Sequence, residues 1–177
     1  MKRAQLEHLI RACSTIAEDD EIIIIGSQSI LGQFPDAPEE LLISNEADVY
    51  PRNFPERAEL VDGSIGELSP FHQTFGYYAQ GVGEQTATLP QQWQQRLIPV
   101  ANARTRGATG WCLEIHDLVV SKYAANREKD REFVRAVIRH SLVERETLDQ
   151  RLRQTELDPR LRSLILGLVE QDFRDAA

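Results

Sequence analysis

Four consecutive isoleucines, Ile22 to Ile25, constrain this chain more than any other feature. β-Branched side chains are stiff at χ1 and favour extended backbone. Successive residues of a strand point to opposite faces, so an all-isoleucine strand must be buried on both. It therefore belongs in the middle of a sheet covered by helices. The run is far too short to span a bilayer, which takes about 20 apolar residues. It leads directly into Gly26-Ser27, so the chain leaves the strand through a turn of small residues.

The surrounding pattern supports a mixed α/β (α+β) fold. Leu6, Leu9, Ile10, Cys13, Ile16 and Ala17 recur at helical spacing and predict an amphipathic helix over 2–17. Gln28–Leu31 reads as a short helix and Ala47–Tyr50 as a second strand stopped by Pro51. Pro55–Leu60 reads as a helix, and residues 62–76 read mostly as loop. Tyr77–Val82, Thr86–Leu89, Arg96–Ala101 and Trp111–Ile115 are candidate strands, punctuated by Pro90, Pro99, Gly107 and Gly110. From His116 onward the apolar spacing is helical, and Asp158-Pro159 reads as a cap followed by a first-turn proline.

Charge marks the same division. The net charge is −8, with eight Lys/Arg against sixteen Asp/Glu in residues 1–115 and twelve of each in residues 116–177. The expected organisation is an α/β core over 1–115 and a C-terminal helical region over 116–177 packed on it. The acidic balance argues against a general nucleic-acid coat protein. Cys13 and Cys112, the only cysteines, exclude a disulfide framework and a CxxC zinc site, and they read as small buried apolar residues. The N-terminal residues lack the apolar stretch of a signal peptide, so the expectation is a soluble cytoplasmic protein without a membrane partner.

Three places offer chemistry, each with a plainer alternative. Gly26-Ser27 presents backbone N–H groups and a hydroxyl suited to phosphate, or is a turn that needs glycine. Glu46 and Asp48 lie two apart on one strand and share a face; their repulsion suits a divalent cation, or they are ordinary acids at a solvated strand end. Lys122, among apolar neighbours, offers a point charge to a triphosphate, and Arg127, Lys129 and Asp130 orient it or pair with one another. The alternative is a surface helix with i,i+4 ion pairs. Tyr77 and Tyr78 read as core aromatics, His72 stays open, and Arg104-Thr105-Arg106 is either a phosphate contact or a solvated turn.

Taken in order, Ile25-Gly26-Ser27, Glu46-Ala47-Asp48-Val49 and Asp117-Leu118…Lys122…Arg127-Glu128-Lys129-Asp130 resemble the nucleotidyltransferase fold of the polymerase-beta-like superfamily. The later block resembles the abortive-infection, type IV toxin nucleotidyltransferases and their uncharacterised bacterial relatives. The resemblance implies that Gly26, Ser27, Lys122 and Arg127 bind the nucleotide. It implies that Glu46 and Asp48 hold Mg²⁺, with two metals expected, and that Glu46, Asp48 and Asp130 are catalytic. Glu46 stands where the superfamily usually has aspartate, and Glu67, Glu84 and Glu114 all remain open as the third carboxylate. The implied activity is Mg²⁺-dependent transfer of a nucleoside monophosphate from an NTP to a tRNA or protein hydroxyl, within a toxin–antitoxin pair. The alternative is a catalytically inactive fold serving as a binding or antitoxin-like partner.

Overall fold

The computed structural model describes residues 1–177, and the isoleucines sit where their composition requires. β1 (Glu21–Ile24) is the middle strand of five. The others are β2 (Glu46–Pro51), β3 (Tyr78–Gly81), β4 (Ile98–Val100) and β5 (Thr109–Cys112), and the sheet order is β3-β2-β1-β5-β4. β1 pairs antiparallel with β2 and parallel with β5; β2 and β3 are parallel, and β4 and β5 antiparallel. Ile22 to Ile25 are at most 4% exposed, so both faces of the strand are buried.

The chain divides into two compact units: residues 1–86 with 96–114, and residues 87–95 with 115–177. The first unit holds the sheet. Its helix α1 (Arg3–Ala17) buries Leu6, Leu9, Ile10, Cys13 and Ala17. Ile10 lies against Gly110 of β5, and a Cβ there would also meet Ile24, so α1 covers the face that carries Ile24. A 3-10 turn, Ser27–Ser29, follows β1 and runs into the short helix α2 (Ile30–Gln33). α3 (Ala58–Ile65) packs along β3, where Gly81 touches the Ala58 carbonyl too closely for any side chain. The two thiols are fully buried, and burial pushes each up to about 12.

Several local expectations are corrected. Residues 62–76 are not mainly loop, because α3 runs to Ile65 and α4 covers Pro70–Phe75. Ser69-Pro70 is a helix start: the Ser69 hydroxyl accepts from His72 N, and Pro70 occupies the first turn. Gly76, at φ 76°, ends that helix in the left-handed region. The expected strand at 86–89 does not form. The strand expected at 96–101 shortens to β4, since a 3-10 turn occupies Trp93–Arg96, and the strand expected at 111–115 moves back to β5, because the chain enters a helix at Ile115.

The second unit contains α5 (Ile115–Ala125), α6 (Glu128–Arg139), α7 (Arg145–Arg153) and α8 (Pro159–Asp175). Asp158 caps α8 by accepting from Arg160 N at 2.9 Å, with Pro159 in its first turn. Arg162 donates to the carbonyls of Leu152 and Thr155 and so satisfies the end of α7. Tyr123 of α5 donates to Asp172 of α8 at 3.0 Å, and Arg135 of α6 holds the other oxygen. Asp117 lies in the first turn of α5, buried, 3.2 Å from Arg151 of α7. No helix of the chain is long and apolar enough to cross a membrane.

One carboxylate ties the entry of β1 to the chain beyond β2. Asp19 accepts from the backbone N–H groups of Glu21, Asn53 and Phe54 and from the Asn53 amide. Burial alone would push it up, but these donors outweigh burial and hold it below the usual carboxylate range. Asp19→Ala is expected to cost about 2 kcal/mol in urea unfolding, the scale of hydrogen bonds to a charged acceptor. A cost near zero would mean that Asp19 does not join these segments.

Candidate functional site

The β1–β2 pairing continues one step past β1: Ile25 N donates to Asp48 O at 3.0 Å. This bond sets Gly26 beside the Asp48 side chain. Gly26 has φ −83° and ψ −174°, which any residue adopts, so the turn itself does not require glycine. The close approach does. A Cβ at residue 26 would overlap the Asp48 carboxylate and lie 2.8 Å from its Cγ. The Gly-Ser turn and the second acid of Glu46-Ala47-Asp48 are therefore in direct apposition, with Ser27 half-buried next to them.

Glu46 and Asp48 are both half-buried and alternate with the buried Ala47 and Val49, so they share one face of β2. In register beside them on β3 stand Tyr78, paired with Glu46, and Gln80, paired with Asp48. The Tyr78 hydroxyl donates to Glu46 Oε2 at 2.9 Å. Burial, that hydrogen bond and the charges of Glu46, Glu67 and Asp48 all push the phenol up, so Tyr78 is a neutral donor. His72 packs on its ring at 4.6 Å.

Two carboxylates on one face are the donor set that Mg²⁺ takes when substrate phosphates and water complete its shell. No group of three or more His, Cys, Asp or Glu side chains gathers to cage an ion by itself. The residues fit an ion shared with a phosphate-bearing substrate. Among the candidates for a third carboxylate, Glu67 acts electrostatically on Tyr78 and Glu84 on Tyr50. Glu114 lies just past the end of β5.

Behind the turn, Gln28 and Ser29 are fully buried, and the Gln28 amide and Ser29 hydroxyl have no hydrogen-bond partner in the protein. Buried amides are nearly always satisfied, so these two side chains are exceptions to the rule. Composition and spacing carry no signal for them.

The Lys122–Asp130 candidates lie in the helical unit. Lys122 Nζ is 2.9 Å from Asp130 Oδ1, and Arg127 Nε is 2.6 Å from Oδ2. Burial would push the Asp130 carboxyl up, but Arg127 and Lys122 hold it below the usual range. Asp130 is thus bound by two cations, which argues for positioning rather than proton transfer.

Tyr77 is the core aromatic expected of it, bonded to His8 Nδ1 at 2.7 Å and ringed by Phe71 and Phe75. Tyr78 is not, since its hydroxyl reaches Glu46. Strand alternation holds the clue, because adjacent tyrosines cannot both face the same core. Arg104 pairs with Glu7 at 3.6 Å, and Thr105 is buried within its own turn.

A family model described as "Nucleotidyltransferase of unknown function (DUF6036)" matches residues 4–162. That span takes in the Gly-Ser turn, the β2 acids and the Lys122–Asp130 block. No curated protein and no solved structure matches the chain.

Two outcomes follow from this geometry. Gly26→Ala is expected to cost about 1–3 kcal/mol through overpacking. Most of that cost should vanish in the Asp48→Ala background, since the clash is with the carboxylate. Equal costs in both backgrounds, read by urea unfolding, would refute the apposition. Asp130→Asn is expected to cost about 3 kcal/mol at neutral pH, because it leaves Lys122, only 11% exposed, without its partner. A depressed carboxylate stabilises the fold above its unfolded value of about 3.9 and loses that contribution as pH falls through the folded value. The gap between wild type and Asp130→Asn should therefore close on acidification below pH 4.

Proposed function

The chain belongs to this nucleotidyltransferase family, and on that premise we propose that it transfers a nucleoside monophosphate from an NTP to a hydroxyl of RNA, such as a tRNA end, or of a protein. The observation that carries the reading is the apposition of the Asp48 carboxylate and Gly26. It places the Gly26-Ser27 turn, whose backbone N–H groups and hydroxyl suit phosphate, directly beside an acid of the pair suited to a cation. In the reaction the acceptor hydroxyl releases its proton to water as its oxygen bonds to the α-phosphorus, the bond to the α–β bridging oxygen breaks, and pyrophosphate leaves. Gly26 and Ser27 seat the phosphates. Glu46 and Asp48 would hold Mg²⁺ shared with the triphosphate. Bound Mg²⁺ neutralises charge on the phosphates and on the departing pyrophosphate. In the helical unit Asp130 fixes Lys122 and Arg127 rather than taking a proton.

A second reading is an inactive member that serves as a partner module, antitoxin-like or otherwise. It is favoured by the neutral Tyr78 and Gln80 beside the two acids, where a further carboxylate would sit close to both.

A transfer assay separates the readings. Protein is incubated with Mg²⁺, each of the four α-³²P-labelled NTPs and either bulk tRNA or bacterial extract. The expected result is label on RNA or protein, reduced at least a hundredfold in Asp48→Ala. NTP binding that requires Mg²⁺ and is lost in Asp48→Ala should accompany it. Folded protein with neither label nor Mg²⁺-dependent NTP binding would refute the transferase reading and favour the partner module.

A further inference from the structure

Glu46 differs from Asp48 in a way that needs an explanation. Its side chain is one methylene longer and has one more rotatable bond, so the backbone alone does not fix where its carboxylate lies. The structure supplies a tether. β3 runs parallel to β2 with Tyr78 directly in register with Glu46, and the Tyr78 hydroxyl donates to Glu46 Oε2 at 2.9 Å.

The tether is itself braced. The His72 ring packs on the Tyr78 ring, tilted 44°. His72 is held at both ends: its Nδ1 accepts from Leu68 N at 3.1 Å, and its backbone N donates to the Ser69 hydroxyl at 3.1 Å. A line of contacts therefore runs from the first turn of α4 through His72 and Tyr78 to the carboxylate. The donor type matters as well. A lysine or arginine in this place would neutralise Glu46 and compete with a cation. A phenol occupies one oxygen and leaves the negative charge intact.

We propose that Tyr78 is the positioning residue for Glu46, holding its carboxylate as a cation ligand on the face it shares with Asp48, and that His72 braces Tyr78. This rests on the nucleotidyl-transfer reading of the site. It assigns Tyr78 no contact with substrate and no part in proton transfer.

The test is the Mg²⁺ concentration that half-saturates NTP binding, read by calorimetry with the NTP that the wild-type chain binds best. Tyr78→Phe keeps the ring and removes only the hydroxyl. It should raise the Mg²⁺ half-point about tenfold, the scale of one hydrogen bond to a charged group. NTP affinity at saturating Mg²⁺ should stay within twofold. In the Glu46→Gln background the same substitution should have no further effect on the Mg²⁺ half-point, which a merely structural role of the hydroxyl would not produce. His72→Leu, which loosens the brace, should raise the half-point about threefold, and it carries the test if Tyr78→Phe fails to fold. A Mg²⁺-dependent wild type with an unchanged half-point in Tyr78→Phe overturns this proposal alone. So does an equal effect of Tyr78→Phe with and without Glu46. A wild-type chain that binds no NTP in a Mg²⁺-dependent manner overturns the nucleotidyl-transfer reading, and this one with it.

Discussion

One backbone hydrogen bond, from Ile25 N to Asp48 O, organises the candidate site. It extends the antiparallel pairing of β1 and β2 past the point where β1 ends, so the chain turns only after Gly26 has been drawn beside Asp48. The central position of β1 makes this bond dependable. A strand buried on both faces has one workable register, since a slip of one residue would reverse every side chain. The isoleucines thus do more than fill the core: they determine which residues stand beside the turn that follows.

The legible part of the fold was the part written in periodicity. The isoleucine strand, the α1 stripe, the Asp158-Pro159 start and the helical C-terminal region all rest on patterns of several residues, and all are present. The short elements were harder. α4 is six residues long, and Ser69-Pro70 carries the same residues in a loop as at a helix start. β4 and β5 are shorter than the apolar stretches that suggested them, because the neighbouring chain turns into other structure. At the candidate site, the shared face of Glu46 and Asp48 could be read from spacing alone. The contact of Asp48 with Gly26 could not, since it depends on a pairing between distant segments. Nor could the Tyr78 hydroxyl bond, which depends on the parallel register of β2 and β3.

Buried acids join the helices of the second unit. Asp117, Asp130 and Asp172 are each buried and each faces an arginine: Arg151, Arg127 and Arg135 respectively. In sequence these acids and arginines resemble the exposed i,i+4 pairs of any charged helix. Burial changes their meaning, because an acid removed from water must keep its partner. Asp172 accepts from both Tyr123 and Arg135, so it links α5, α6 and α8 through one carboxylate. The equal numbers of acids and bases in this region reflect internal pairing as well as solvation.

The borders of the sheet have a consequence for how the protein meets others. β4 is three residues long with Pro99 at its centre, and proline has no N–H to offer a neighbouring chain. At the opposite border β3 is four residues long, and α3 packs against its face, where the Gly81–Ala58 contact leaves no room for a side chain. Neither border is a long, flat template for a further strand. Strands this short offer few backbone groups to an added strand, whether from a second copy or from an extended segment of another protein. Whatever the chain binds, its side-chain surfaces and loops offer more than its backbone ladder does.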